Sequence, residues 1–565
     1  MTESIDQLHQ LFQDEWEYRL QADPLFATST GDSRYNDRLP RSREEDFATF
    51  TRALATFRRR LDEVERGELP PAEQLNYDIW QRLVDNELNE LELGGYRLPL
   101  SKMWGFHMAF AGCYLTMPFN TVDDYEVYIA RLHAFPQYVQ DHIELMREAL
   151  RRNFVPPRVT LEGVAESMRT QLVSDPVDSV LYQPFQSFPA TIDEAQRSRL
   201  SHAGQAAIQQ AVIPGFQAGL TFVREEYIPA ARQTIAAAEL PRGNEFYAHR
   251  IRLFTSLELS PQEVHQTGLD EVARIRAQMQ AVINQVSFGG TFRQFIEFLR
   301  SDPQFYVQTP EQLLEKTALV LKRMDGELPR LFKTLPRLPY GIRPIPDYSA
   351  PGNTAAYYFP GPGDGSRAGA YYVNTYDLSS RPLYEIEALS LHEAVPGHHL
   401  QIALQQELSD LPLFRRHNGF TSFVEGWALY AERLGLEVGF YQDPYSNFGR
   451  LSYEMWRACR LVVDTGMHAL GWSRQQAIET MLDNTSSTLL NITNEVDRYI
   501  AWPGQALAYK IGELKIRALR AKAETALGSK FDLRQFHDVL LLQGAVPLDV
   551  LEAMVDRYIS SATAA

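Results

Sequence analysis

Leu391-His392-Glu393-Ala394-Val395-Pro396-Gly397-His398-His399-Leu400-Gln401 decides how the rest of the chain is read. These eleven residues hold three of the 13 histidines. His392-Glu393 opens like the zinc helix H-E-x-x-H, in which two imidazoles one turn apart share a face and the glutamate serves as general base. The position that should carry the second imidazole is Pro396, and Gly397-His398 follows two residues late. In a regular helix His399 shares the face of His392 but lies about 10 Å further along the axis. His398 would point away, unless Pro396, which removes a helical hydrogen bond, and Gly397, which permits unusual dihedrals, let two residues bulge out. His398 is therefore the expected second ligand, with His399 as its rival. A helix with only a structural role has no reason to keep an acid, three imidazoles and a Pro-Gly pair together, so a metal site is expected here.

Two imidazoles need a third ligand, and a catalytic zinc keeps a fourth position for water. The segment GFTSFVEGWALYAERLG, residues 419–435, offers Glu425 among apolar neighbours, with Gly426 allowing close helix approach. Glu432 shares its face but lies two turns on, too far for the same ion, and the adjacent Arg433 suggests a salt bridge for it. Further along, Arg457, Arg460, Asp464 and His468 form a polar stripe on an otherwise apolar helix, which suits a cavity lining or support for the site. EVDRYIAWPGQALAYKIGE, residues 495–513, gathers Arg498, Tyr499, Gln505, Tyr509 and Lys510 around Pro503-Gly504. These side chains suit an oxyanion or a substrate carboxylate.

Outward from this centre the chain reads as mainly α. Apolar residues recur at helical spacing from Leu8, Leu11, Phe12 and Trp16 onward, and Ser260-Pro261-Gln262-Glu263 is a good helix start, with a capping serine and proline in the first turn. The texture changes between Tyr340 and Arg381. There Ala355–Phe359 and Ala370–Tyr376 are short aromatic runs joined by the glycine-rich stretch from Gly361 to Gly369, which predicts a small sheet or hairpin at about residues 340–378. Its exposed edge could hold an extended peptide by backbone hydrogen bonds, with Tyr372 and Asn374 as candidate substrate contacts. Residues 1–258 form a helical N-terminal part and residues 259–565 the catalytic part, as two bodies or one continuous one.

Composition excludes several classes. Lys+Arg 55 against Asp+Glu 72 gives a net charge of −17, which repels nucleic acid and anionic lipid. Cys113 and Cys459 are the two cysteines, too few and too far apart for a disulfide framework or a thiolate zinc site. The N-terminus has no basic start followed by an apolar run, and no stretch approaches the ~20 apolar residues of a membrane span. A cytoplasmic protein without nucleic-acid or membrane partners is the expectation.

HEAVPGHHLQ, FVEGWALYAERL and EVDRYIAWPGQALAYKIG together resemble the bacterial family called domain of unknown function 885, over most of the chain. That family looks similar to gluzincin-type zinc peptidases, including helical oligopeptidases and carboxypeptidases. The resemblance implies a large helical zinc-peptidase-like body with a deep cleft and a small β-sheet preceding the metal helix. It implies one Zn2+ held by His392, His398 and Glu425, with Glu393 as base. It further implies Tyr499 or Tyr509 as oxyanion donor and Arg498, Gln505 or Lys510 as a grip on a peptide C-terminus; Tyr372, Asn374, His399, Arg457 and His468 are, apart from the resemblance, the further candidates for substrate contact or support of the site. The expected activity is hydrolysis of short peptides, carboxypeptidase- or dipeptidase-like. The alternatives are a zinc amidohydrolase acting on a non-peptide amide and a helical binding protein with a structural zinc site.

Overall fold

A computed structural model of the chain describes residues 2–346, 350, 354–361, 365 and 367–564. Residues 362–364 and 366 of the glycine-rich connection expected at 361–369 lie outside the described residues. The described part is mainly helical with one small sheet, and it divides into two compact units, Met1–Phe246 and Tyr247–Ala565.

The first unit is organised by α1 (Val122–Arg151). Thr121 caps it, accepting from the Asp124 N–H while the Asp124 carboxylate accepts from the Thr121 N–H, a reciprocal arrangement worth about 1 kcal/mol. Tyr125, Tyr128, Leu132, Phe135 and Val139 recur at helical spacing and are buried. Phe135 stacks on Phe110 with ring centroids 3.8 Å apart. A Cβ on Gly215 would lie 2.7 Å from the Phe135 ring, so glycine there lets a neighbouring helix close on this aromatic core.

The second unit carries every candidate site residue. Its long pair is α2 (Pro261–Gln285) and α3 (Pro444–Ala469). Ser260 and Glu263 form the capping box anticipated from sequence, with both hydrogen bonds at 2.8–3.2 Å. The two helices approach closely at Gly268, where a Cβ would meet the Leu461 Cβ at 2.7 Å. Between them in sequence stands the sheet, with β1 (Tyr340–Pro344), β2 (Ala356–Phe359) and β3 (Gly369–Val373) in the order β1-β3-β2. β1 runs parallel to β3 and β2 antiparallel to it. The strand β1 falls within the expected bounds of the sheet but was not one of the two runs named from sequence; Pro339 sits just before it and Pro344 is its last residue, where a missing N–H is tolerated. No described helix is long and apolar enough to cross a membrane.

Four further helices bring the candidate residues together: α4 (Ile386–Glu393), α5 (His398–Glu407), α6 (Thr421–Leu434) and α7 (Ala508–Leu527). Helices α6 and α7 touch backbone to backbone, since a Cβ on Gly426 would lie 2.5 Å from the Gly512 Cα. This crossing fixes Glu425, the residue before Gly426, on a rigid element.

Candidate metal centre

The histidine segment is not one bulged helix, as expected from its sequence, but two helices broken between Glu393 and His398. Gly397 has negative φ, −78°, so left-handed freedom is not its role. Its role is steric: a Cβ there would fall 1.9 Å from the His392 carbonyl oxygen and 2.5 Å from that of Leu391. The Trp427 indole N–H donates to the Pro396 carbonyl at 2.9 Å and pins the turn to α6. The chain thus folds back on the end of α4 and starts α5 with the His398 imidazole beside that of His392. Their ring centroids are 4.8 Å apart at 86°.

Glu425 enters from α6. Its Oε2 stands 3.6 Å from His392 Nε2 and 3.5 Å from His398 Nε2, and ligand atoms of the three residues all lie within 4.8 Å of one another. Two zinc bonds of about 2.1 Å at a tetrahedral angle separate their donor atoms by about 3.4 Å, so both separations match the edges of a zinc tetrahedron. Glu425 Oε2 and His398 Nδ1 are buried without a hydrogen-bond partner among the described residues. A desolvated carboxylate oxygen between two imidazoles, with no donor of its own, fits a cation. The donor set of two nitrogens and a carboxylate suits zinc. Burial opposes charge on both sides of this cluster and is overcome by the pairing. His392 is raised to about 9 by Glu425 and Glu432, and Glu425 is held well below the usual carboxylate range by His398 and His392.

Glu432, two turns from Glu425, was expected to pair with Arg433. It is instead 2 % exposed, accepts from His392 Nδ1 at 2.8 Å and lies 3.4 Å from Arg457 Nη2. A carboxylate on Nδ1 fixes the tautomer that leaves Nε2 free to ligate. Sequence held a signal for this, since Glu425 and Glu432 share a helical face, but the adjacent arginine outweighed it. Glu393 is half-buried, and its Oε2 accepts from the Tyr358 N–H of β2 at 3.0 Å.

His399 points elsewhere. Its Nδ1 is 2.9 Å from the Tyr358 hydroxyl, its ring packs 4.6 Å from that of Tyr340, and burial lowers it to about 4. Tyr499 is buried, its hydroxyl accepting from Trp456 Nε1 at 3.0 Å and Arg460 Nε at 2.8 Å, which leaves it poorly placed as an oxyanion donor. Tyr509 lies close enough to Glu425 for that charge to help raise its hydroxyl, second to burial, and Gln505 Nε2 stands 3.4 Å from its oxygen. Arg498 links Gln505 Oε1 at 3.0 Å to Glu495 at 3.1 Å.

Three expectations give way to packing. Lys510 is fully buried and bound by Glu271, Glu454 and Glu513 at 2.8–2.9 Å, so it is a structural cation and no grip on substrate. Asn374 is fully buried and donates to the Ala350 and Thr354 carbonyls, tying both to the end of β3. His468, also buried, has Nε2 3.0 Å from the Tyr499 carbonyl oxygen and supports that helix rather than the cluster. Tyr372 stacks on Tyr357 across the β3–β2 pair. Arg457 pairs with Glu432, and its charge opposes protonation of His392.

The family model described as "Bacterial protein of unknown function (DUF885)" matches residues 24–555. No curated protein matches the chain. A solved "putative lipoprotein" from Colwellia psychrerythraea is 28% identical, covers 99% of both chains and superposes with a TM-score of 0.93. A second, from Shewanella oneidensis and described as of unknown function, is 18% identical over 97% of this chain and 99% of its own, with a TM-score of 0.76. A carboxypeptidase from Pyrococcus furiosus reaches a TM-score of only 0.29 at 10% identity over 91% of this chain and 97% of its own, too low to count as a shared fold. The first two carry the description "putative lipoprotein", which overturns the cytoplasmic expectation. The two buried free cysteines are compatible with either side of a membrane, so cysteine usage could not decide the compartment.

Proposed function

The chain belongs to the bacterial family of unknown function DUF885, and from the chemistry of its cluster we propose that it is a zinc-dependent hydrolase of peptide bonds in short peptides. The observation that carries this reading is the pair of imidazole nitrogens 3.5 and 3.6 Å from one unpartnered carboxylate oxygen, with Glu393 directly following the first histidine. Zinc held by His392, His398 and Glu425 would supply Lewis acidity toward a scissile carbonyl and would acidify a water.

The chain's own groups divide the remaining work. Glu393 takes the proton from the attacking water and returns it to the leaving amine. The Tyr358 N–H holds one oxygen of that carboxylate and leaves the other for the water. Glu432 keeps His392 in the tautomer with Nε2 unprotonated. The Tyr509 hydroxyl donates to the developing oxyanion. Among the described residues β2 pairs only with β3, so its outer edge, where the Tyr358 N–H meets Glu393, faces the site. An extended peptide laid along that edge would gain backbone hydrogen bonds. With Lys510 locked in its own ion pairs, a carboxypeptidase- or dipeptidase-like preference rests on Arg498, Gln505 and Tyr509. By analogy with the described relatives, the activity would be exercised by a membrane-tethered protein outside the cytoplasm.

The test is metal content together with cleavage of a peptide library and an amide panel by the wild type and Glu393→Gln. The expected result is one zinc in both proteins and peptide cleavage lowered at least about a hundredfold in the variant. Undiminished cleavage by the zinc-loaded Glu393→Gln protein would sink the assignment. Cleavage confined to non-peptide amides would move the function to an amidohydrolase.

A further inference from the structure

Past the crossing of Gly426 and Gly512, helices α6 and α7 part and leave a pocket of about 460 Å3, open to solvent and within the ~300–1,000 Å3 range of ligand sites. Three arginines and two glutamates line it. Arg520 is paired twice, with Glu437 at 2.6 Å and with Glu524 at 2.8 Å. Arg517 pairs through Nη1 with Glu513 at 3.0 Å and with Glu454 at 3.9 Å, which leaves its Nε and Nη2 without an acidic partner among the described residues. Arg433 is half-buried and has no hydrogen bond or ion pair among the described residues. Burial is the first cause that lowers it below the ordinary arginine range, the neighbouring Arg517 and Arg450 charges add to the effect, and Glu454 and Glu513 offset part of it.

Two guanidiniums therefore face one concavity, Arg433 with no ion pair among the described residues and Arg517 with part of its fork unused. Guanidiniums present planar forks of N–H donors that match oxyanions two bonds at a time, and a flanking pair of them suits a dianion. We propose that the pocket between α6 and α7 is a binding site for a phosphate group, held between Arg433 and Arg517. The pocket is larger than inorganic phosphate needs and has room for a small molecule that carries the group. Arg433 directly follows Glu432, the carboxylate that orients His392, so a ligand here would bind about 100° around α6 from the face that carries Glu425 and Glu432.

Titration of the intact protein with inorganic phosphate at constant ionic strength, followed by calorimetry, tests this. One phosphate should bind per chain. Arg433→Ala should weaken it at least about tenfold, as expected for losing hydrogen bonds to a charged group, and Arg433→Lys should recover part of that loss. Ala521 lies exposed on the pocket wall, so Ala521→Trp should block binding while its melting temperature without phosphate stays near that of the wild type. A sugar phosphate that binds more tightly than inorganic phosphate would assign the site to a phosphorylated metabolite, and equal affinity would assign it to phosphate itself. No saturable binding at millimolar phosphate overturns the proposal. So does binding that survives both Arg433→Ala and Ala521→Trp, because such phosphate would sit at the metal cluster or elsewhere.

Discussion

Replacing Gly397 by alanine adds one methyl group, and the structure says where it must go. It would stand 1.9 Å from the His392 carbonyl oxygen and 2.5 Å from that of Leu391, far inside the 3.0 Å that real Cβ atoms respect. Both obstacles are backbone atoms in the last turn of α4, so no rotamer change relieves them. The turn must retreat by about 1 Å, and His398, the next residue, moves with it. Metal-ligand distances tolerate only about 0.2 Å. The 3.5 Å separation of His398 Nε2 from Glu425 Oε2 should therefore be lost, and zinc affinity should fall at least about a hundredfold, or about 3 kcal/mol. The fold should survive with a loss of about 1–3 kcal/mol, seen as a melting temperature a few degrees lower in the metal-free protein. Chelator competition measures the first quantity and circular dichroism the second. His399→Ala is the control: it removes an imidazole bonded to Tyr358 and should leave zinc affinity within about threefold of wild type. Wild-type affinity in the Gly397→Ala protein, or loss of zinc in the His399→Ala protein, would refute the steric account of this turn.

Glu432→Gln keeps an acceptor for His392 Nδ1 but removes its charge, and should weaken zinc binding by about 10–100-fold without removing the site, as read by the same competition. The buried His537 bonds to Tyr430 and to the Leu331 carbonyl and is lowered by burial to about 3. A depressed histidine is protonated first in the unfolded chain, so its contribution is complete above pH ~6.5 and is lost as pH falls from there toward 3. Glu385 and Asp464, both raised to about 7 by burial, act in the opposite sense over part of that range. The quantity to measure is therefore the difference in urea stability between wild type and His537→Gln: it should shrink by a few kcal/mol on acidification from pH 7 to 4, and a constant difference would contradict the neutral buried state.

What sequence disclosed about the site was local. His392, Glu393 and His398 stand within seven residues, and Glu425 sits in an apolar helix that gives an isolated carboxylate no other partner, so spacing and burial were enough to nominate them. The mistakes were matters of distant contact. Gly397 looked like a source of flexibility because the carbonyl it must avoid becomes visible only when the chain has folded back. Glu432 looked committed to its neighbour Arg433, while its partners His392 and Arg457 come from two other helices. Lys510 looked like a free cation because Glu271 and Glu454 are remote in sequence. The helical character was legible from periodicity throughout. The strand β1 was not, because a parallel strand beside β3 is specified by its partner and its own residues include a proline.

The hydrogen bond from the Tyr358 N–H to Glu393 also bears on how the chain avoids itself. An open strand edge is a template for any extended segment, including the same strand of another copy, and β2 is short, aromatic and paired on one side only among the described residues. A carboxylate seated on its outward N–H occupies one of the donors that self-pairing would need and places a negative charge on the seam. Under the proposed function, recognition of peptide and protection from aggregation would compete for one backbone group: the glutamate assigned as base would also be the gatekeeper that a substrate strand must displace and that a second copy, bringing its own like-charged glutamate, is repelled by.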